Sequence, residues 1–350
     1  MTEEYINEMK RCIKLAKKAM GHTSPNPMVG CIVINKKGEI IATGYHKKYG
    51  EFHAERDALL QLKNAKGCTL IVNLEPCCHK GKTPPCTDII IEKGIKRVVY
   101  GMKDPNPLVS GKGIKKLQDA GIEIIGPVME KECKKLNEIF IKNQIEKKTF
   151  VAIKTATTID GKIATSNGNS KWITSDKARN KAKSLRSVYD AILTSSSTIL
   201  ADNPNMEHNK KIILDRELKT KLNSNIYKQG EIYIFHDKNI SPAKQKGNIT
   251  YIPTPTKKKK LDVEFILNKI FELGIMSVFV EAGGILNGSF LPYADKIYHF
   301  IAPKILSDNN GKSCFDGKEI KRIADCKYFE IEKTQIFSPD ILVTYNKKSN

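Results

Sequence analysis

Short apolar strands and amphipathic helical stretches alternate along almost the whole chain, and few folds accommodate that alternation. A helical stretch over 4–21 is closed by Gly21, and two apolar runs, 30–35 and 39–44, flank a turn and predict a β-hairpin. Then follow a helix over 53–62, a buried strand over 68–74, a helix over 85–93, a strand over 97–101, a helix over 112–120 and an extended stretch over 122–125. The order predicts an α/β sandwich whose sheet is largely parallel after its opening hairpin. Near 142–149 the pattern turns polar, and a new apolar strand starts at Phe150. The second half repeats the style, with strands around 188–194, 211–214, 231–235 and 276–281 and helices around 175–187 and 262–273. The lysine-rich stretch 253–260 is expected to be a solvated loop. With 350 residues the chain suits two domains, placed at 1–145 and 146–350.

The charge balance bears on partners. The net charge is +21, divided as +10 over residues 1–150 and +11 over the remainder, and only seven of the 59 basic residues are arginine. A base- or groove-reading surface would concentrate charge and favour arginine's planar fork. An even lysine field points instead to a soluble chain with no nucleic-acid partner, and it would favour an anionic small substrate. No apolar run reaches the length of a membrane span, and the acidic N-terminus lacks a signal-peptide layout. Nine cysteines, an odd number, suit a reducing cytoplasm better than a disulfide framework.

Three of those cysteines, Cys77, Cys78 and Cys86, fall within ten residues. His53-Ala54-Glu55 stands at a helix start, Glu75-Pro76-Cys77 follows a buried strand, and Cys86 enters another helix. One imidazole and two thiolates suit a catalytic zinc whose fourth position stays open for water. Glu55, two residues from the ligating His53, can carry protons from water to a departing amine, as the corresponding Glu does in zinc base deaminases. A structural zinc completed by Cys78 or His79 is the other reading, although adjacent residues seldom reach one metal and such a site has no use for Glu55.

The separation of Cys77 and Cys86 departs from the Pro-Cys-x-x-Cys of common deaminases. The run Glu75 to Cys86 resembles that of the bifunctional deaminase–reductases of riboflavin biosynthesis. Pro25-Asn26-Pro27-Met28-Val29-Gly30, Gly44-Tyr45-His46, His53-Ala54-Glu55, Asp104-Pro105-Asn106-Pro107 and Gly111-Lys112-Gly113 match that family in order. The resemblance implies that His53, Cys77 and Cys86 hold one zinc ion, that Glu55 is the catalytic proton carrier, and that Asn26, His46 and Lys82 bind the substrate. It further implies a cytidine-deaminase-like α/β/α sandwich followed by a dihydrofolate-reductase-like α/β domain.

Matches in the second half run over 154–164, 170–174, 184–186, 191–194, 198–204 and 280–284. There the resemblance implies NADPH as hydride donor, held by Ala156, Trp172, Thr198, Asp202 and the run Gly283, Gly284, Ile285, Leu286, Asn287, Gly288 and Ser289. It assigns Lys154, Ser170, Arg186, Met206 and Glu281 to the substrate. On residue type alone, Trp172 could equally be a core aromatic, and the glycine pair a tight turn. No Gly-x-Gly-x-x-Gly follows a strand, so a Rossmann site is not expected. After Asp202-Asn203-Pro204 the family's usual arginine is missing and the loop is shorter, so that either Lys210 or His208 replaces it or the reductase is weakened.

The expected activity is zinc-dependent hydrolytic deamination of 2,5-diamino-6-ribosylamino-4-pyrimidinone 5′-phosphate, followed by reduction of its ribosyl group, in a self-associating enzyme. Two rivals are a nucleic-acid-editing zinc deaminase with a C-terminal binding module, and a structural zinc module attached to a dehydrogenase-like domain.

Overall fold

The computed structural model describes residues 3–81, 83–107, 109–242 and 247–348. The chain divides into two compact units, Met1–Lys147 and Lys148–Asn350.

The first unit contains α1 (Ile6–Ala16), β1 (Gly30–Ile34), β2 (Ile40–Tyr45), α2 (Ala54–Leu59), β3 (Thr69–Val72), α3 (Cys86–Glu92), β4 (Arg97–Tyr100), α4 (Lys112–Asp119), β5 (Glu123–Ile125), α5 (Glu130–Leu136) and α6 (Glu138–Glu146). Its sheet runs β2-β1-β3-β4-β5. β1 is antiparallel to β2 and β3, and β3, β4 and β5 are mutually parallel. Two glycines show how helices cover both faces. Gly30 pairs with Tyr45 and Cys31 with Gly44, so Gly30 and Gly44 face opposite sides of the sheet. A Cβ on Gly30 would lie 2.1 Å from the Cys12 carbonyl oxygen of α1, and one on Gly44 2.4 Å from the Ala54 carbonyl oxygen of α2. Only glycine lets both helices come this close, and the result is a sandwich.

The second unit contains β6 (Phe150–Thr157), β7 (Lys162–Ala164), α7 (Asp176–Arg186), β8 (Ala191–Ser195), α8 (Ser196–Asp202), β9 (Lys210–Leu214), β10 (Glu231–Asp237), β11 (Ile249–Thr254), β12 (Thr256–Lys257), β13 (Lys260–Leu261), α9 (Val263–Glu272), β14 (Ser277–Glu281), α10 (Gly284–Phe290), β15 (Lys296–Ile301), β16 (Lys312–Ser313), β17 (Phe329–Phe337) and β18 (Asp340–Lys347). Nine of these strands form one sheet in the order β11-β10-β9-β8-β14-β6-β15-β18-β17. It is parallel from β11 to β15 and antiparallel over β15, β18 and β17. Alternation along the strands builds a core on each face: Leu193, Ile212 and Phe235 belong to one, and Ile192, Ile213 and Ile234 to the other.

Several local expectations need correction. The stretch 253–260 is not a bare loop. Pro253 and the fully buried Thr254 end β11, and β12 and β13 form a small hairpin beyond them. β11 is the edge of the sheet, where a strand tolerates proline. The polar stretch from Lys142 lies largely within α6. The first helix is shorter than 4–21, with 3₁₀ turns over 3–5 and 17–19 on either side of α1.

Candidate active site

His53 is the residue capping α2, held extended at φ −69°, ψ 160°, so its ring swings out of the helix while Glu55 sits in the first turn. Cys77 lies beyond the end of β3, and Cys86 opens α3, where its backbone N–H donates to the Cys77 Sγ at 3.4 Å. His53 Nδ1 lies 3.5 Å from the Sγ of Cys77 and 3.5 Å from that of Cys86. Tetrahedral zinc with ordinary Zn–N and Zn–S bonds separates such atoms by about 3.6 Å. The donor set therefore fits zinc in both chemistry and spacing. Among the described residues, no fourth His, Cys, Asp or Glu joins these three, and Cys78 stands apart from the group. The Cys77 thiol is drawn well below its ordinary value by its hydrogen bonds, first with Cys86 and then with His53. Glu55 is 3% exposed, and burial pushes its carboxyl up to about 7.

His53, Glu55 and Cys77 line a cavity of about 300 Å³ shared with Asn26, His46 and Asp104. His46 is enclosed, and burial lowers its imidazole pKa. Its Nδ1 lies 3.0 Å from the Phe52 carbonyl oxygen and its Nε2 3.1 Å from Asn26 Nδ2. A neutral ring therefore donates from Nδ1 and accepts from Asn26, which leaves Asn26 Oδ1 as the acceptor. Lys82 lies outside the described residues.

Sequence reasoning missed the groups that hold this wall in place. Asn137, between α5 and α6, accepts the Met28 N–H at 2.8 Å and donates to the Met28 carbonyl oxygen at 3.0 Å. Asn73 accepts the Gly30 N–H at 2.7 Å and donates to the Met28 carbonyl oxygen at 3.1 Å. Both side chains are buried and grip the backbone on either side of Val29. Phe140 and Gln144 of α6 also line the cavity. The Asp104 motif was visible as a family match without a role; burial raises its carboxyl to about 6.

In the second unit, Lys154 of β6 and Glu281 at the end of β14 are register partners on one face. Arg186, the last residue of α7, donates to Glu281 Oε2 from Nε at 2.9 Å and lies 2.7 Å away through its terminal nitrogen. Glu281 Oε1 is buried without a hydrogen-bond partner. Burial lowers the Lys154 ammonium pKa, opposed by the charge of Glu281. Ala156 lies two residues along β6 on the same face as Lys154. Ser170 and Trp172 lie between β7 and α7. Trp172 is no core aromatic: it is 63% exposed, with the Arg179 guanidinium 4.2 Å from its ring centroid. Thr198 is in α8, its N–H donating to Ser195 Oγ, and Asp202 is exposed at the end of that helix.

Two expectations change here. His208 is already engaged: its Nδ1 accepts the Lys210 N–H and its Nε2 faces the Tyr189 carbonyl oxygen at 3.0 Å. It is therefore not free to replace the missing arginine. Met206 is buried among Ile192, Ile199 and Ile213, so its side chain serves the core. The glycine run is also explained in part by packing. A Cβ on Gly284 would lie 2.3 Å from the Ser313 carbonyl oxygen, and one on Gly288 1.8 Å from that of Asp316, whereas one on Gly283 would meet nothing within 4 Å. Ile285, Leu286, Asn287 and Ser289 follow in α10, where the N–H groups of Gly284 and Ile285 have no intrahelical acceptor.

A zinc-binding deaminase unit joined to a reductase unit is the class that these features define. Residues 2–102 match the family model for the cytidine and deoxycytidylate deaminase zinc-binding region, and residues 149–343 match that for the RibD C-terminal domain. The chain belongs to the RibD family of riboflavin biosynthesis proteins. It is 38% identical to riboflavin biosynthesis protein RibD of Actinobacillus pleuropneumoniae, over 97% of this chain and 94% of that one. It is 41% identical to the RibD of Aquifex aeolicus, over 97% and 98%. Its fold matches the crystal structure of a diaminohydroxyphosphoribosylaminopyrimidine deaminase/5-amino-6-(5-phosphoribosylamino)uracil reductase from Thermotoga maritima, with a TM-score of 0.89, 38% identity and 99% of both chains covered. A match spanning both units removes the rival in which the second half is a nucleic-acid-binding module. Among the described residues, no helix is long and apolar enough to cross a membrane.

Proposed function

We propose that the first unit hydrolytically deaminates 2,5-diamino-6-ribosylamino-4-pyrimidinone 5′-phosphate at its 2-amino group, and that the second reduces the ribosyl group of the product to ribityl. One observation carries the reading: in a chain related to RibD along its length, a zinc-compatible His53–Cys77–Cys86 group has its His53 and Cys77 in the wall of the cavity that Glu55, Asn26 and His46 also line.

His53, Cys77 and Cys86 would hold one zinc ion, which supplies Lewis acidity and brings the pKa of water towards neutrality. Glu55, shielded from bulk solvent, takes one proton from the attacking water and delivers it to the ring nitrogen, then takes the second proton from the new hydroxyl and delivers it to the departing amine. A bond forms between the water oxygen and ring carbon 2, the carbon–nitrogen bond breaks, and ammonia leaves. Asn26 Oδ1 accepts from an amino group of the pyrimidine, and His46 fixes that orientation. Lys82 is assigned to the substrate phosphate, which a lysine meets as a point charge.

In the second unit, NADPH supplies the hydride. Ala156, Trp172, Thr198, Asp202 and the segment Gly283 to Ser289 would hold it, with N–H groups at the start of α10 facing its phosphates. Lys154, Ser170, Arg186, Glu281 and the backbone at Met206 would hold the substrate, the unpartnered Glu281 Oε1 accepting a ribosyl hydroxyl. The partner is thus a small phosphorylated pyrimidine, and the enzyme is expected to self-associate in the cytoplasm.

The test supplies the diaminopyrimidine phosphate with and without NADPH. Ammonia release independent of NADPH, followed by NADPH oxidation, is expected. Absence of ammonia overturns the first assignment, and absence of oxidation with the deaminated intermediate overturns the second.

A further inference from the structure

Glu75 is 2% exposed, yet its carboxylate meets no cationic side chain among the described hydrogen bonds and ion pairs. It is instead saturated by backbone. Oε2 accepts the N–H groups of Asp104 at 3.2 Å and Gly111 at 3.0 Å, and Oε1 accepts those of Gly113 at 3.1 Å and Ile114 at 3.2 Å. Three of these belong to the start of α4, whose capping residue Gly111 brings no side chain to its own free N–H groups. The fourth belongs to Asp104, in the cavity wall. The backbone N–H of Glu75 donates to the Met102 carbonyl oxygen at 2.9 Å, which fixes the near end of the same segment. A Cβ on Gly113 would lie 2.0 Å from the Pro76 carbonyl oxygen, so the first turn of α4 rests on the residue next to Cys77.

We propose that Glu75 is a positioning residue for the deaminase pocket, its carboxylate tying the wall at Asp104 and Asn106 and the start of α4 to the strand end that carries Cys77. This rests on the deaminase reading of the site. A simple helix cap would serve only the N–H groups of α4. The bond to Asp104, seven residues earlier and in the cavity, is what extends the role to the pocket. Geometry explains why the residue is a carboxylate. Each oxygen serves two donors, and an amide would turn one oxygen into a third donor facing two N–H groups.

Glu75→Gln in the full chain tests this, since it keeps the volume and leaves His53, Cys77, Cys86 and Glu55 in place. The expected result is zinc retained at one per chain, KM for the diaminopyrimidine raised about ten-fold or more, and kcat changed far less, because a wall that binds has shifted while the proton carrier has not. Hydrogen exchange of the amides at 104, 111, 113 and 114 is expected to be slow in the wild-type chain and to accelerate in the variant. Unchanged KM and unchanged exchange, in a preparation whose wild type releases ammonia, overturn the positioning role. Parallel loss of zinc, kcat and KM overturns it in favour of plain scaffolding. A wild type that releases no ammonia overturns the deaminase reading instead. If Glu75→Gln does not accumulate folded, Glu75→Asp, which keeps the charge but withdraws the oxygens, is read the same way. Fast exchange of these four amides in the wild type overturns the proposal without any variant.

Discussion

Asn26 Nδ2 lies 3.1 Å from Nε2 of His46, and the opposite ring nitrogen is tied to the Phe52 carbonyl oxygen. The amide of Asn26 therefore has a fixed orientation, with its oxygen left for the cavity. Removing it by Asn26→Ala is expected to raise KM about ten-fold, the scale of one lost hydrogen bond to a polar substrate, with zinc content unchanged. Steady-state ammonia release together with metal analysis checks this, and an unaltered KM would count against the assigned orientation.

The proposed metal ligands and the proposed proton carrier Glu55 are expected to separate cleanly in their consequences. Cys77→Ser is expected to lose zinc and ammonia release together. Glu55→Gln is expected to keep zinc and lose about 10²–10⁴-fold in kcat, the range contributed by a positioned acid–base group. Both variants are expected to retain NADPH oxidation with the deaminated intermediate. Ammonia release by Glu55→Gln at the wild-type rate would indicate a structural metal.

Gly283 and Gly284 are neighbours with opposite surroundings. A side chain at 284 runs into the Ser313 carbonyl oxygen, which is backbone and cannot swing away, whereas 283 faces open space. Gly284→Ala is expected to cost about 1–3 kcal/mol, visible as a lower Tm for the second unit. Gly283→Ala is expected to keep the Tm. Equal Tm values for the two variants would contradict this reading of the packing.

What the sequence made legible follows from what kind of signal each feature leaves. His53, Cys77 and Cys86 stand at restrictive spacings next to predicted element ends, so their gathering into one group could be expected before any coordinates. The alternation of strands and helices was equally plain where a strand is buried throughout around an apolar run, as in β3 and β14. Asn73 and Asn137 leave no such mark, because they act on backbone atoms of distant segments, and an isolated polar residue looks alike whether it is buried or solvated. Glu75 stood in the matched run, but nothing in that run says that its oxygens take the backbone N–H groups of a later segment. β17 escaped notice because its exposed edge alternates poorly, and the hairpin after Thr254 because its lysines mimic a loop. Met206 carried a family role, but its side chain was already claimed by the core.

The last prediction concerns pH and a histidine remote from the metal ligands. His299 of β15 lies with Nδ1 2.6 Å from Thr155 Oγ1 and Nε2 3.5 Å from Thr157 Oγ1, and burial lowers its pKa from the ordinary 6.5. Nearby hydroxyls can serve a neutral ring from either side but supply no negative charge to balance a cation. The folded state therefore binds this proton less readily than the unfolded state. The stability contributed by the neutral ring is present above the unfolded value and is lost as pH falls from there towards the folded one. Chemical denaturation across pH 7 to 5 is expected to show the second unit weakening on acidification, with a smaller slope in His299→Gln. An identical slope in wild type and variant would mean that His299 titrates alike in both states.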